Sequence, residues 1–139
     1  MTAETLVLDS QALSAIVRKD RRIQVILTAA RHNDRRTVVP AVVLAEVMTG
    51  GPGDAAYWHA VGRLVLADTT PPIAARAGAL RERATAVRKK KRDLTVDAIV
   101  AATAQDFAPS VIATSDPADM TLLAPQPDVR VLAVRPGQP

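Results

Sequence analysis

Short apolar runs alternate along this chain with stretches whose apolar residues recur every three or four positions. The first run, Thr5 to Leu8, predicts a strand, and the spacing from Ala12 to Val17 then predicts a helix. The same alternation continues to the end of the chain. Further strands are predicted at 37–39, 64–67, 110–114 and 129–134, and further helices at 21–32, 40–49, 54–62, 71–88, 94–106 and 117–123.

Alternating strands and helices are typical of an α/β protein with a central parallel sheet, here of four or five strands, flanked by helices on both faces. At 139 residues the chain has the usual size of one domain. We therefore predict a single domain over 1–135 and a loose tail at 136–139. In a sheet of this kind, ligands gather beyond the carboxyl ends of the strands.

Acidic residues stand where two of the predicted strands end. Asp9 follows the first strand directly, and Asp116 and Asp119 follow the strand at 110–114. All three positions are also common places for helix caps and turn residues, and for Asp119 we favour that structural role. The position beside a strand's carboxyl end makes Asp9 and Asp116 candidates for an active site.

Two further acids lie inside predicted helices. Glu46 is the only charged residue of the segment 40–49, which reads as a buried helix, and a buried carboxylate needs a partner. An arginine, or contact with solvent at the helix edge, would serve as well as a metal ion. Asp97 falls in the first turn of the helix 94–106, where an acid also complements the helix dipole.

Convergence of these acids in one sheet would create an electrostatic problem. Two carboxylates about 4 Å apart repel by roughly 4 kcal/mol at an effective dielectric of about 20, so a cluster must be protonated or hold a cation. Oxygen ligands without cysteine favour Mg²⁺ over zinc, and the chain has no cysteine. Mg²⁺ held by carboxylates beside a phosphodiester is the arrangement of metal-dependent nucleases.

The charge balance admits a polyanionic partner. The net charge is +4 and the isoelectric point is near 10.1, whereas only three residues are aromatic, which disfavours base stacking as the main mode of nucleic-acid binding. The most basic stretch, RERATAVRKKKR at 81–92, lies just before Asp97. It could hold RNA phosphates near the metal, and a solvated helix end explains it equally well. The candidate phosphate-binding residues are Arg88, Lys89, Lys90, Lys91 and Arg92.

Four segments of the sequence resemble the PIN-domain family, specifically the VapC-like toxin ribonucleases of type II toxin–antitoxin systems. The segments are LVLDSQAL, VVPAVVLAEV, LTVDAIVAATA and VIATSDPADM, in the family's order and spacing, and the resemblance covers nearly the whole chain. It places the family's four acids on Asp9, Glu46, Asp97 and Asp116, with Asp119 as a further acid nearby. Thr114 and Ser115 match the family's small hydroxyl residues, and with Ser10 they are candidates for hydrogen bonds near the site.

The resemblance implies a Mg²⁺- or Mn²⁺-dependent endoribonuclease that hydrolyses RNA, with tRNA and ribosomal RNA as the common substrates. The four acids would then be both catalytic and metal-binding, and Asp119 would assist. Two alternatives stay open: a PIN module that binds RNA or a protein partner without cutting, and a nuclease that acts on DNA.

Partners follow from the same resemblance, which implies a homodimer and a cognate VapB-like antitoxin that occupies the site. The amphipathic segment from Arg21 to His32 and the pair Tyr57 and Trp58 are candidates for such a surface, although core packing is the favoured role of the two aromatic residues. No apolar run approaches the length of a membrane span and the first residues lack a basic leader, so we predict a cytoplasmic protein.

Overall fold

Strands and helices alternate through the computed structural model, which describes residues 4–88 and 92–134. The strands in this part of the chain are β1 (Thr5–Leu8), β2 (Thr37–Pro40), β3 (Val65–Ala67), β4 (Ser110–Thr114) and β5 (Val129–Ala133). The helices are α1 (Ser10–Val17), α2 (Arg21–His32), α3 (Val43–Val47), α4 (Asp54–Val61), α5 (Pro71–Val87), α6 (Thr95–Asp106) and α7 (Pro117–Leu123).

All neighbouring strands pair in parallel, in the spatial order β3-β2-β1-β4-β5. The central strand β1 places Val7 beside Val38 of β2 on one side and beside Ile112 of β4 on the other. Every residue of β1 and β4 is buried, so both faces of the sheet are covered. The α/β prediction of a parallel sheet flanked by helices is confirmed. The strand order reverses between β1 and β4, where such folds bind their ligands.

The helices form two packed groups. Helix α1 packs against α2, α3 and α4, whereas α5, α6 and α7 pack against one another. Helix α6 also contacts β1, β2 and β4, and its small buried residues Ala98, Ala101 and Ala102 let its backbone approach the sheet closely. Within the described ranges, no helix combines the length and the apolar character that crossing a membrane requires.

The segment 40–49 is not the long buried helix that the sequence predicts. Pro40 is the last residue of β2, opposite Ala67, and the strand tolerates a proline there because the pairing with β1 already ends at Val38. The next residue, Ala41, donates its backbone N–H to the Ala67 carbonyl at 2.8 Å. Helix α3 has only five residues, since Met48 is already extended and Gly50 has a positive φ of 81°. Only Val43 of this helix is fully buried.

The two neighbouring aromatic residues of α4 differ in their surroundings. Tyr57 is half-buried, and its hydroxyl lies 2.9 Å from the hydroxyl of Ser14. Trp58 is 56% exposed, so the prediction that it packs in the core is wrong. Consecutive residues of a helix point about 100° apart, so Tyr57 faces the protein while Trp58 faces solvent. Trp58 is therefore available to a partner.

The central position of β4 yields a stability prediction. Ile112 is fully buried between β1 and β5, so Ile112→Ala should lower the free energy of unfolding by about 2–5 kcal/mol through lost burial and the cavity that remains. Val87→Ala is the matched control, because Val87 is 65% exposed, and it should change stability by less than about 0.5 kcal/mol. Urea unfolding followed by circular dichroism measures both, and equal losses would contradict this account of the core.

Candidate metal centre

Asp9 ends β1 and caps the next helix. Its carboxylate accepts a hydrogen bond from the backbone N–H of Ala12 at 2.8 Å and another from the hydroxyl of Thr114, the last residue of β4. The residue is only 3% exposed, and burial raises the pKa of Asp9 to about 6, helped by the nearby charge of Asp97. Asp9 is therefore a helix cap, as the sequence suggested. The cap interaction holds its poorly solvated carboxylate beside the strand-order reversal.

Asp97 lies in the first turn of α6 with a mostly buried side chain. Burial raises the pKa of Asp97, the guanidinium of Arg92 opposes that rise, and the charges of Glu46 and Asp116 add to it. The guanidinium of Arg92 contacts both Asp97 and Asp116, which places the start of α6 beside the start of α7. These two acids, from separate segments of the sequence, therefore lie close together.

Asp116 and Asp119 take different places at the start of α7. Asp116 is the N-cap and accepts the backbone N–H of Asp119 at 3.4 Å, while its own N–H donates to the Thr114 hydroxyl at 3.0 Å. Asp119 is buried and forms ion pairs with two arginines, so the cap or turn role favoured for it is wrong. The cap falls on Asp116 because Pro117 opens the helix one residue later.

Glu46 reaches the cluster from its edge. Because α3 is short, Glu46 is exposed rather than buried, and the burial that the sequence suggested for it is wrong. The Ser10 hydroxyl donates to its carboxylate at 2.6 Å, which ties α3 to the residue following Asp9. Ser115 is half-buried in the turn between β4 and α7.

Two arginines of the basic stretch are bound to these acids. The guanidinium of Arg92 lies 3.2 Å from Asp97, 2.8 Å from Asp116 and 2.6 Å from Asp119, and Arg88 forms an ion pair with Asp119. Neither arginine belongs to a merely solvated helix end. Phosphate binding by the basic stretch stays a prediction, and its members Lys89, Lys90 and Lys91 lie outside the described residues.

The donor set and the arrangement give different answers about a metal ion. Five carboxylates with neighbouring hydroxyls offer only oxygen ligands, which suit Mg²⁺ or Mn²⁺. Over 4–88 and 92–134, however, no group of three His, Cys, Asp or Glu side chains lies close enough together to hold a metal ion. A cation does stand among the acids, namely the guanidinium of Arg92 in contact with three of them. The residues thus fit a metal ion by their chemistry and charge but not, in this arrangement, by their spacing, and Arg92 supplies the positive charge.

Sequence reasoning missed the contribution of Arg88 and Arg92 to the acidic site. A signal was available, because several poorly solvated acids require cations and the basic stretch ends five residues before Asp97. Asp93 was also overlooked: its carboxylate accepts hydrogen bonds from the backbone N–H of Thr95 at 3.0 Å and from its hydroxyl at 2.7 Å, which fixes the start of α6.

Comparison with known proteins gives structural matches only. No family model and no curated protein matches the chain. A chain of VapBC2 from Rickettsia felis, solved with a DNA fragment from the promoter, matches with a TM-score of 0.70 at 14% identity, over 94% of this chain and 98% of that one. A chain of a toxin–antitoxin complex from Klebsiella pneumoniae matches with a TM-score of 0.67 at 22% identity, over 94% and 100%. The chain has the PIN-like α/β fold. FitAcB from Neisseria gonorrhoeae shares it, with a TM-score of 0.64 at 21% identity over 92% and 96% of the two chains.

Burial of Asp9 in this PIN-like fold gives a pH-dependent stability prediction. Folding raises the pKa of Asp9 from 3.8 to about 6, so the folded protein favours the protonated carboxyl. The free energy of unfolding therefore falls as the pH rises through this interval. Asp9→Asn keeps a good helix cap and removes the charge. In EDTA at pH 8 the variant should be more stable than the wild type by on the order of 1–3 kcal/mol.

At pH 4 that difference should nearly vanish, because the wild-type carboxyl is then protonated in the folded state. Asp106→Asn is the control, since Asp106 is an exposed acid at the end of α6 that pairs with Arg76 at 2.8 Å. Thermal unfolding across the pH range measures all three proteins. A variant that is less stable than the wild type at pH 8 would show that Asp9 is not held in an unfavourable environment.

Proposed function

We propose that the protein is a Mg²⁺- or Mn²⁺-dependent endoribonuclease that acts as the toxin of a toxin–antitoxin pair. The observation that supports this most is that contacts link Asp9, Asp97 and Asp116 beside the strand-order reversal. Thr114 bonds both Asp9 and Asp116, and Arg92 contacts both Asp116 and Asp97. The fold is shared with chains of toxin–antitoxin complexes, which supports the toxin part of the proposal. RNA as the substrate rests on the sequence resemblance.

A bound Mg²⁺ would supply a nucleophilic water and offset the charge that develops on the scissile phosphate. Asp9, Asp97 and Asp116 would hold it, and the protein orients two of these side chains before any ion arrives. The Ala12 N–H and the Thr114 hydroxyl hold Asp9, and the Thr114 hydroxyl also accepts the N–H of Asp116. The two acids therefore share one positioning residue. The Ser10 hydroxyl holds the Glu46 carboxylate at the edge of the cluster.

A second candidate function is a PIN module that binds RNA or a protein without cutting. The observation that favours it is the place of the Arg92 guanidinium, which contacts three of the five acids. If that contact were permanent, a divalent ion would have no access to Asp97 or Asp116. The two candidates differ in one measurable property, metal-dependent hydrolysis.

The catalytic proposal predicts loss of activity in Asp97→Asn. Labelled tRNA and ribosomal RNA are incubated with the wild type in Mg²⁺ and in EDTA, and the variant should cut at least about 10²-fold more slowly because a metal ligand is lost. Asp106→Asn is the matched control, because it removes an acid from the opposite end of the same helix and should cut like the wild type.

Each result decides between the candidates. Metal-dependent cutting by the wild type and by Asp106→Asn, but not by Asp97→Asn, supports the nuclease. Equal cutting by all three proteins indicates a contaminant and contradicts the site. RNA binding without cutting, in a folded wild type supplied with Mg²⁺ or Mn²⁺, favours the silent module.

A cavity near the amino ends of β2 and β3 supports the antitoxin part of the proposal. It has a volume of about 580 Å³ and lies between α1, α2 and α4. Apolar side chains such as Leu27 and Leu64 line it, no acid does so among the described residues, and α2 contributes part of the wall, as the sequence suggested. Its cationic lining residues are Lys19, Arg31, Arg35, Arg36 and Arg63.

Such a cavity is complementary to an amphipathic segment with acidic flanks, and we propose that the antitoxin supplies one. Trp58 and the edge strand β3 lie beside the cavity. Strand β3 carries two exposed apolar side chains, Val65 and Leu66. The homodimer and the cytoplasmic location stay predictions, to be checked by sedimentation and by fractionation.

Charge reversal tests this groove. The partner is the product of a small reading frame next to the gene, co-expressed with the chain and then measured by surface plasmon resonance. Arg31→Glu should weaken binding about tenfold or more, because it places a like charge opposite the acidic flank. Arg21→Glu, on the same helix but outside the cavity, should change the Kd by less than about threefold. Equal effects of both variants would contradict the groove.

A further inference from the structure

The two arginines of the acidic cluster differ in how firmly they are held. The Arg88 side chain is 17% exposed and pairs with Asp119, which is itself buried. The Arg92 side chain is 48% exposed, although it contacts three carboxylates. A half-exposed guanidinium regains water when it leaves its partners, whereas a buried one would leave an uncompensated charge behind. Arg92 can therefore move away at a much lower cost than Arg88.

The acids differ in the same way. Asp119 keeps Arg88 as a counter-ion whether or not Arg92 is in place. For Asp97 and Asp116, Arg92 is the only salt-bridge partner within the part of the chain that the structure describes. Removal of Arg92 would therefore leave Asp97 and Asp116 without a paired cation, close to the buried Asp9. These three are the acids to which the proposed function assigns the divalent ion.

The backbone next to Arg92 allows its side chain to move on its own. Asp93 closes a turn onto the N–H and hydroxyl of Thr95, and Leu94 is buried in the core. The start of α6 is thus anchored by residues that follow Arg92. Rotation of the Arg92 side chain toward solvent breaks its contacts with the acids and leaves this anchor intact.

We infer that Arg92 is a displaceable counter-ion of the acidic cluster: a divalent cation competes with its guanidinium for Asp97 and Asp116, while Arg88 stays with Asp119. The inference rests on the proposed metal site and adds its regulation by the chain itself. It assigns Asp119 to the protein's own ion-pair network and not to the metal. On this inference, Arg92 lowers the affinity of the site for a metal ion. In the metal-free protein the same residue stabilises the fold.

The test is a calorimetric titration with Mn²⁺ at low ionic strength. Arg92→Gln should bind Mn²⁺ about tenfold more tightly than the wild type, a gain between those expected for an exposed and a buried ion pair. Arg81→Gln is the matched control, since Arg81 has a similar exposure and contacts Glu82 and Thr95 but none of the cluster acids. Its Mn²⁺ affinity should stay within about twofold of the wild type.

A second readout does not depend on metal affinity. In EDTA, Arg92→Gln should have a lower melting temperature than the wild type. Saturating Mn²⁺ should raise the melting temperature of the variant by more than that of the wild type, because in the variant the ion replaces the lost counter-ion of Asp97 and Asp116. Should Arg92→Gln fail to fold, Arg92→Lys takes its place: it keeps the charge but loses the planar fork, so its Mn²⁺ affinity should rise by a smaller factor.

An Mn²⁺ affinity that is unchanged or weaker in Arg92→Gln, with binding intact in the wild type, overturns the counter-ion inference and leaves the proposed metal site standing. Absence of Mn²⁺ binding in every protein overturns both. Tighter Mn²⁺ binding in a chain that cuts no RNA supports the inference and contradicts the nuclease.

Discussion

Repulsion among carboxylates at the carboxyl end of the sheet is the constraint on which the functional half of this structure depends. Parallel strands β1 and β4 end side by side, so the residues after them, Asp9 and Asp116, are brought together by the fold itself. Helix α6 adds Asp97 because its alanine-rich face packs closely on the sheet. Burial then removes the water that would otherwise screen these charges, and a cation becomes part of the structure's requirements.

Arg88 and Arg92 meet that requirement in different ways. The Arg88 side chain is mostly shielded from solvent and pairs with the buried Asp119, whereas the Arg92 side chain is half-exposed and contacts three acids. Arg92 offsets the charge of Asp97 and Asp116 without a bound ion, and the Asp116 side chain stays half-exposed to solvent. A stable apo protein and an accessible anionic site are otherwise difficult to combine, because concentrated negative charge destabilises a compact fold.

Much of the fold could be predicted from local pattern. The runs at β1 and β4 are apolar throughout, as strands buried on both faces must be, and a turn or a helix follows each of them. The segment 40–49 could not be placed in this way, because Pro40 suits a helix start and a strand end equally well, and the pairing of Pro40 with Ala67 decides between them. The prediction that Trp58 is buried failed for a similar reason. The burial of this side chain depends on what α4 packs against, and the sequence of α4 does not contain that information. The acids were identified by their positions after strands, whereas the pairing of Arg92 with three of them depends on side chains up to 27 residues apart.

The cavity lies at the amino-terminal edge of the sheet, and the acidic cluster lies at its carboxyl-terminal edge. Residues that enter β2 and β3, such as Arg36 and Leu64, line the cavity, whereas Asp9 and Asp116 follow the exits of β1 and β4. A strand of four residues spans roughly 13 Å, so a single peptide that fills the cavity and also reaches the acids needs a connection of at least about four extended residues. Any ligand that engages both ends is therefore bivalent, and the length and stiffness of its connecting segment set its strength as much as its contacts do.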